Sequence, residues 1–175
     1  NNFQAAKKVT LALMSLIRTQ YPRDSLFIIG FSDYAREIKE EDLAKSSWNA
    51  WVSGTNLHHA LMLARKLLNQ EKGSTRQILL ITDGEPTAHL EGDRAYFSYP
   101  PSFRTEQETL KEVKRCTQED ILINTFMLEN SYQLVNFVDR LTRINRGRAF
   151  YSSSGNLGEY VLVDYVQNRR KKVMA

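Results

Sequence analysis

Apolar residues recur along this chain with two alternating periods. From Phe3 to Gln20 the apolar positions Val9, Leu13, Leu16 and Ile17 share one face at helical spacing, and the pattern ends before Tyr21-Pro22. "SLFIIGF" (25–31) is a short continuous apolar run, the signature of a strand buried on both faces, and "YAREI" (34–38) is a shorter alternating one. Leu57, Leu61, Ala64 and Leu68 return to helical spacing with Gly73 beyond the end, and "ILLI" (78–81) predicts another strand. A helix is expected from Thr105, where Thr105 and Glu108 form a capping box ahead of Leu110 and Val113. "ILINTFML" (121–128) is a strand, Leu134, Val138, Leu141 and Ile144 mark a helix, "RAFY" (148–151) a last short strand, and 156–172 a last helix. Between them, Gly84 to Arg104 reads as one long loop.

Helices alternating with strands predict right-handed crossovers. The fold class is therefore α/β, a doubly wound, mainly parallel sheet with helices on both faces, in one domain over residues 1–175. A crossover helix joins two parallel strands, yet this chain opens on a helix, so an apolar strand is expected to precede Asn1. In such sheets ligands bind outside the carboxyl ends of the strands. Asp83 stands at one of those ends, and the Ser32-Asp33 pair at another.

Composition narrows the partners. A net charge of +4 over 175 residues is too modest to argue for nucleic acid, and the one basic cluster, Arg169-Arg170-Lys171-Lys172, reads as a solvated helix end. Cys116 is the only cysteine, so no internal disulfide forms; three residues after Val113, it reads as a buried thiol. The longest apolar helical stretch, "VTLALMSLI" (9–17), falls short of the roughly 20 residues that a membrane span needs. It also lacks the basic lead-in and cleavage site of a signal peptide, so a soluble, cytoplasmic protein with no membrane partner is expected.

Two stretches carry candidate chemistry. "SGTNLHHAL" (53–61) is a Gly-Thr-Asn turn opening a helix, and "ITDGEP" (81–86) ends a strand on a carboxylate. Thr55 or Asn56 serves equally well as a plain helix cap, and Asp83-Gly84 as a plain turn. A hydroxyl and a carboxylate at one sheet edge also suit a hard divalent cation such as Mg²⁺, which takes oxygen ligands. His58, His59 and His89 flank these turns without the spacing of a zinc site. No nucleophile elbow, dinucleotide-binding glycine loop or phosphate loop occurs, which argues against the enzyme classes that carry them. Asp83 as a general acid, base or metal ligand of a small-substrate hydrolase stays as a competing reading. Within the 84–104 loop, Tyr96, Phe97, Tyr99 and Phe103 surround Pro100-Pro101; they either pack the loop down or face a partner.

A Gly-Thr-Asn-Leu turn opening a helix, followed some 25 residues later by an apolar strand ending Thr-Asp-Gly, resembles a von Willebrand factor type A (vWA) domain. The flanking "DSLFIIGFSDYAREI" and "RQILLITDGEPTA" agree, so the resemblance covers nearly the whole chain. It implies a metal-ion-dependent adhesion site for Mg²⁺ or Mn²⁺, in which Thr55 supplies the second-loop hydroxyl and Asp83 the third-loop carboxylate, often through water. Ser32, Asp33, Gly54, Asn56, Gly84 and Glu85 then lie near the metal edge. An acidic side chain of a partner protein completes the metal's shell. The family's first loop, Asp-x-Ser-x-Ser, does not occur in these residues, and its expected place is just upstream of Asn1, where the alternation also calls for a strand. A single-cysteine chain resembles the intracellular members, which work beside AAA+ ATPases, as magnesium chelatase subunits and the companions of MoxR-type ATPases do. The resulting expectation is a non-enzymatic protein-binding module, with a metal-independent scaffold domain as its alternative.

Overall fold

The computed structural model describes residues 2–45, 54–71, 75–153 and 155–174. The elements run α1 (Asn2–Gln20), β1 (Ile28–Phe31), β2 (Ala35–Ile38), α2 (Glu40–Leu43), α3 (Leu57–Leu68) and β3 (Arg76–Thr82). There follow β4 (Ala88–Glu91), β5 (Arg94–Phe97), α4 (Phe103–Gln118), β6 (Ile121–Met127), α5 (Tyr132–Asn145), β7 (Ala149–Tyr151) and α6 (Leu157–Met174). Ser53 and Gly73 lie outside the described residues; the basic cluster 169–172 falls in α6, its side chains outside them too.

β3, β6 and β7 form a parallel sheet in the order β3-β6-β7, with Ile78 beside Ile123 and Phe126 beside Phe150. The two-residue period of the strands sorts side chains to opposite faces. Leu80, Ile121, Ile123 and Met127 point toward α3, α4 and α5, where they meet Leu61, Val113, Phe137 and Leu141. Leu79, Ile81, Phe126 and Leu128 point the other way, against Val9, Leu13 and Ile17 of α1 and Leu157 and Val161 of α6. Both faces are therefore covered, as the apolar runs require. Each fully buried Phe or Leu here stabilises the fold by about 1.5–3 kcal/mol.

Buried polar side chains fasten the elements together. Asn145, at the end of α5, accepts from Ile123 N–H at 2.7 Å and donates to Ile121 C=O at 2.9 Å. Asp164 of α6 has almost no exposed surface; it accepts from Asn124 at 2.7 Å and Asn168 at 3.1 Å and pairs with Arg148. Cys116 is buried in α4, as its spacing suggests, and burial pushes its thiol up to about 12.

Three features depart from the sequence reading. The first apolar run makes only a short strand, and β1 pairs antiparallel with β2 rather than with the parallel sheet. The 84–104 stretch is no loop but an antiparallel hairpin, β4–β5, with Leu90 opposite Ala95. Gly92, at φ 65°, opens its two-residue turn, where the left-handed region favours glycine. Finally, α4 starts two residues before the expected capping box. Ser102 is its cap, accepting from Thr105 N–H at 3.1 Å, and Glu108 pairs with Lys111 instead. Ser102 is the first hydroxyl after Pro100-Pro101, so it meets the free helix N–H groups first.

Candidate functional site at the carboxyl edge

The turn before α3 is held from all sides. Gly54 sits at φ 110°, a conformation open to glycine, and a Cβ there would run into the Asp33 carboxylate and touch the Phe97 ring at 3.4 Å. Asn56, fully buried, caps α3 by accepting from His59 N–H at 2.9 Å. Its side-chain amide donates to Asp33 C=O at 2.8 Å, and its own N–H to Ser32 C=O at 2.7 Å. Ser32, Asp33, Gly54 and Asn56 are thus one cluster. Asn56 is the helix cap, which releases Thr55 from that task.

Thr55 is clamped through its backbone. Its N–H donates to Thr87 Oγ1 at 2.8 Å, and its C=O accepts from Thr87 N–H at 3.0 Å and Ala88 N–H at 3.3 Å. No hydrogen bond among the described residues takes up its hydroxyl. Asp83 ends β3 exposed, in a turn closed by Thr82 Oγ1 donating to Gly84 C=O at 3.0 Å; Glu85 follows, half-buried. Gly54, Thr55 and Asp83 line the same cleft, which also runs between β1 and β3 and holds about 950 Å³.

Two residues at this edge were not singled out from the sequence. Asn2 donates to Asp83 Oδ2 at 3.4 Å and to Glu129 Oε1 at 3.5 Å, so the first turn of α1 lies against the ends of β3 and β6. Glu129 stands two residues past the last residue of β6, the position equivalent to the turn after β3, and a count from "ILINTFML" would have found it.

The histidines are spoken for. His58 Nδ1 accepts from Leu90 N–H at 3.0 Å and His59 Nδ1 from Ala35 N–H at 2.8 Å. Burial holds both below the ordinary histidine value, with Glu112 and Glu108 pulling His58 partly back. His89 is fully buried between Thr105 Oγ1 at 2.8 Å and Glu91 Oε1 at 3.1 Å. His58 and His89 lie edge to face with centroids 6.2 Å apart, and among the described residues no group of three His, Cys, Asp or Glu is placed to hold a metal. Thr55 and Asp83 are oxygen donors of the kind that Mg²⁺ or Mn²⁺ would take.

Of the aromatic quartet, Phe97 lies against that edge. Phe97 is half-exposed against Gly54, Tyr96 packs on His89 at 5.4 Å, and Tyr99 and Phe103 are each 76% exposed. Tyr34, also half-exposed, accepts from Ala95 N–H at 3.0 Å and ties the β1–β2 hairpin to β5. Among the described residues no helix is long and apolar enough to cross a membrane.

Comparison with known proteins agrees with this architecture. A family profile described as "Rv0959-like protein, vWA domain" matches residues 1–166. The uncharacterized protein Rv0959 of Mycobacterium tuberculosis and protein Mb0984 of Mycobacterium bovis are each 35% identical over 176 residues, covering 98% of this chain. The chain spans 26% of the length of these relatives. Among solved structures, the conserved hypothetical protein BatB of Bacteroides thetaiotaomicron superposes with a TM-score of 0.68 at 15% identity, over 97% of this chain and 88% of that one. The SpRpn10 VWA domain does so with 0.57 at 12% identity, over 86% and 76%. The profile, the identity to the mycobacterial relatives and the shared fold place this chain in the vWA family, in its Rv0959-like group.

Proposed function

We propose that this domain is a protein-binding module that takes its partner at the carboxyl edge, through Mg²⁺ or Mn²⁺ held by Thr55 and Asp83 and through the aromatic hairpin beside them. The clamp between Thr55 and Thr87-Ala88 carries the reading, because it fixes the hairpin and the metal edge as one surface. Among the described residues no hydrogen bond takes up the Thr55 hydroxyl, and Asp83 is exposed. Thr55 and Asp83 would hold such a metal, which would supply a Lewis-acidic position for an acidic side chain of the partner. Tyr99 and Phe103 add apolar area of the kind that anchors interfaces. The partner class that fits the resemblance is a AAA+ ATPase in the cytoplasm, and no catalytic step is assigned to the domain.

The test is titration of the domain with Mg²⁺ and Mn²⁺ by calorimetry, followed by capture of its partner with and without EDTA. Saturable binding lost in both Asp83→Ala and Thr55→Ala, with partner capture lost in EDTA, supports the reading. Metal binding that survives both substitutions overturns it. A metal-independent scaffold is the second reading, favoured by the lack of a three-residue His, Cys, Asp or Glu cluster among the described residues. It predicts capture unaffected by EDTA but lost when Tyr99 and Phe103 are changed to Ala.

A further inference from the structure

We propose that Ser102, Thr105, His89 and Glu91 form a reversible hydrogen-bond relay, through which the charge on the buried His89 ring decides whether the Ser102 hydroxyl donates into the protein or out of it. Ser102 stands in the chain between the exposed Tyr99 and Phe103, so what the relay means for a partner rests on the reading above; the relay itself does not. β4 carries His89 and Glu91, and α4 begins at its cap, Ser102. The His89 side chain has no exposed surface, so both ring nitrogens depend on protein partners. Nδ1 lies 2.8 Å from Thr105 Oγ1, and Nε2 lies 3.1 Å from Glu91 Oε1. Thr105 Oγ1 is in turn 3.0 Å from Ser102 Oγ, which accepts from Thr105 N–H at 3.1 Å.

Glu91 fixes the direction of the whole chain. An ionised carboxylate only accepts, so in the neutral ring Nε2 carries the proton and Nδ1 is bare. A bare Nδ1 accepts, so the Thr105 O–H donates to it, and Thr105 Oγ1 accepts from a Ser102 O–H that points inward. One proton taken from solvent onto Nδ1 inverts the order by rotation of the two hydroxyls. The Nδ1–H then donates to Thr105 Oγ1, the Thr105 O–H turns to Ser102 Oγ, and the Ser102 O–H is left to point outward. Ser102 Oγ accepts from Thr105 N–H in both states, so the cap of α4 survives. No heavy atom has to move and no buried polar atom loses its partner, which is the condition for a charge in a fully buried ring.

The charged groups near the ring accommodate both states. Glu91 Oε1 also takes Arg104 Nε at 3.2 Å, and the Arg104 side chain, 66% exposed, is free to turn to solvent once the ring becomes the carboxylate's cation. On α3, His58 lies 6.2 Å from His89 and keeps its own Nδ1 as acceptor for Leu90 N–H; Glu112 and Glu108 of α4 act on His58. β5 contributes the Tyr96 ring at 5.4 Å. With the ring charged, the outward Ser102 hydroxyl adds a donor between Tyr99 and Phe103. A partner that offers a carboxylate or carbonyl oxygen there gains a hydrogen bond. With the ring neutral, that hydrogen is committed to Thr105.

The experiment is NMR on the full-length protein, following the His89 ring nitrogens and the Ser102 hydroxyl proton from neutral to acid pH. The expected neutral ring is protonated on Nε2, with the Ser102 hydroxyl protected from exchange with water. As Nδ1 gains its hydrogen, the hydroxyl loses that protection over the same pH range, while the amides of Ile123 and Phe126 stay protected. His89→Gln keeps an acceptor for Thr105 and a donor for Glu91 without a charge, so its Ser102 hydroxyl should stay protected in acid. Thr105→Val, which breaks the relay, decides the matter if His89→Gln does not fold: its Ser102 hydroxyl should be unprotected throughout. A neutral ring protonated on Nδ1, a hydroxyl unprotected beside a neutral ring, a hydroxyl still protected beside a charged one, or unfolding before the ring charges overturns the proposal. These signals need no metal and no partner, so they fail separately from the proposed function.

Discussion

Arg65 of α3 closes over Glu112 of α4 with Nη2 2.9 Å from Oε1 and Nε 3.3 Å from the same oxygen, and the Glu112 side chain has no exposed surface. Arg65 also reaches Glu119 at 3.0 Å; burial lowers its pKa, but Glu112 and then Glu119 together raise it. Arg65→Ala leaves a buried carboxylate with Arg115, 3.4 Å away, as its one ion-pair partner among the described residues. The expected loss is about 3 kcal/mol, read by urea denaturation. A loss below about 1 kcal/mol would show that water reaches Glu112.

His58 and His59 hold the two hairpins as neutral acceptors, and burial lowers the pKa of each. A group whose folded pKa lies below its unfolded value stabilises the fold fully above that unfolded value, about 6.5 for histidine. The stability is then lost as pH falls from 6.5 through the folded pKa. Thermal melts should therefore be flat from pH 8 to 7 and drop on the way to pH 5. His58→Gln should lose about 1 kcal/mol at pH 7.5 and flatten that drop. An unchanged slope in the double variant His58→Gln/His59→Gln would assign the pH effect elsewhere.

Three glycines order themselves by what a methyl group would meet. At Gly147 it would overlap the Ile123 backbone carbonyl, at Gly54 the movable Asp33 side chain with φ already positive, and at Gly84 nothing within 4 Å. Gly147→Ala should fail to fold or lose more than about 3 kcal/mol, Gly54→Ala should cost about 1–3 kcal/mol, and Gly84→Ala should stay within about 0.5 kcal/mol. Melting temperatures in any other order would contradict the turn geometry.

Tyr99 and Phe103 support little of the fold at their exposure. Tyr99→Ala/Phe103→Ala should melt within a few degrees of the parent yet weaken partner capture tenfold or more, since exposed aromatic anchors carry interface energy. Equal capture would move the partner surface away from the hairpin.

Cys116 should react with a disulfide reagent only on unfolding, because its buried thiol supplies almost no thiolate at pH 8. Stoichiometric labelling of the folded protein within minutes would show that α4 opens.

Much of this was legible because helix and strand periods leave different marks. Val9, Leu13 and Ile17 announce α1, and the run 78–81 announces the strand that ends at Asp83. The Gly-Thr-Asn and Thr-Asp-Gly turns led directly to the family. The β4–β5 hairpin was missed because its alternation is broken by Ala95 and by His89, a polar residue that is fully buried. The signal was Gly92-Asp93 between Leu90 and Ala95, a two-residue turn pair. The buried roles of His58 and Glu112 were not legible, since they depend on partners 30 or more residues away, and that of His89 depends on Thr105, 16 residues on. Asn2 and Glu129 meet only because α1 returns to the edge where β6 ends.

Thr55 binds Thr87 and Ala88, and the next residue, Asn56, binds Ser32 and Asp33. One turn of backbone is thereby a common axle for both hairpins. The two hairpins are therefore expected to move together with Thr55 and Asn56 rather than singly. A ligand that shifts Thr55 by an ångström would reshape the entire rim, and one that leaves Thr55 in place would leave the rim as it was.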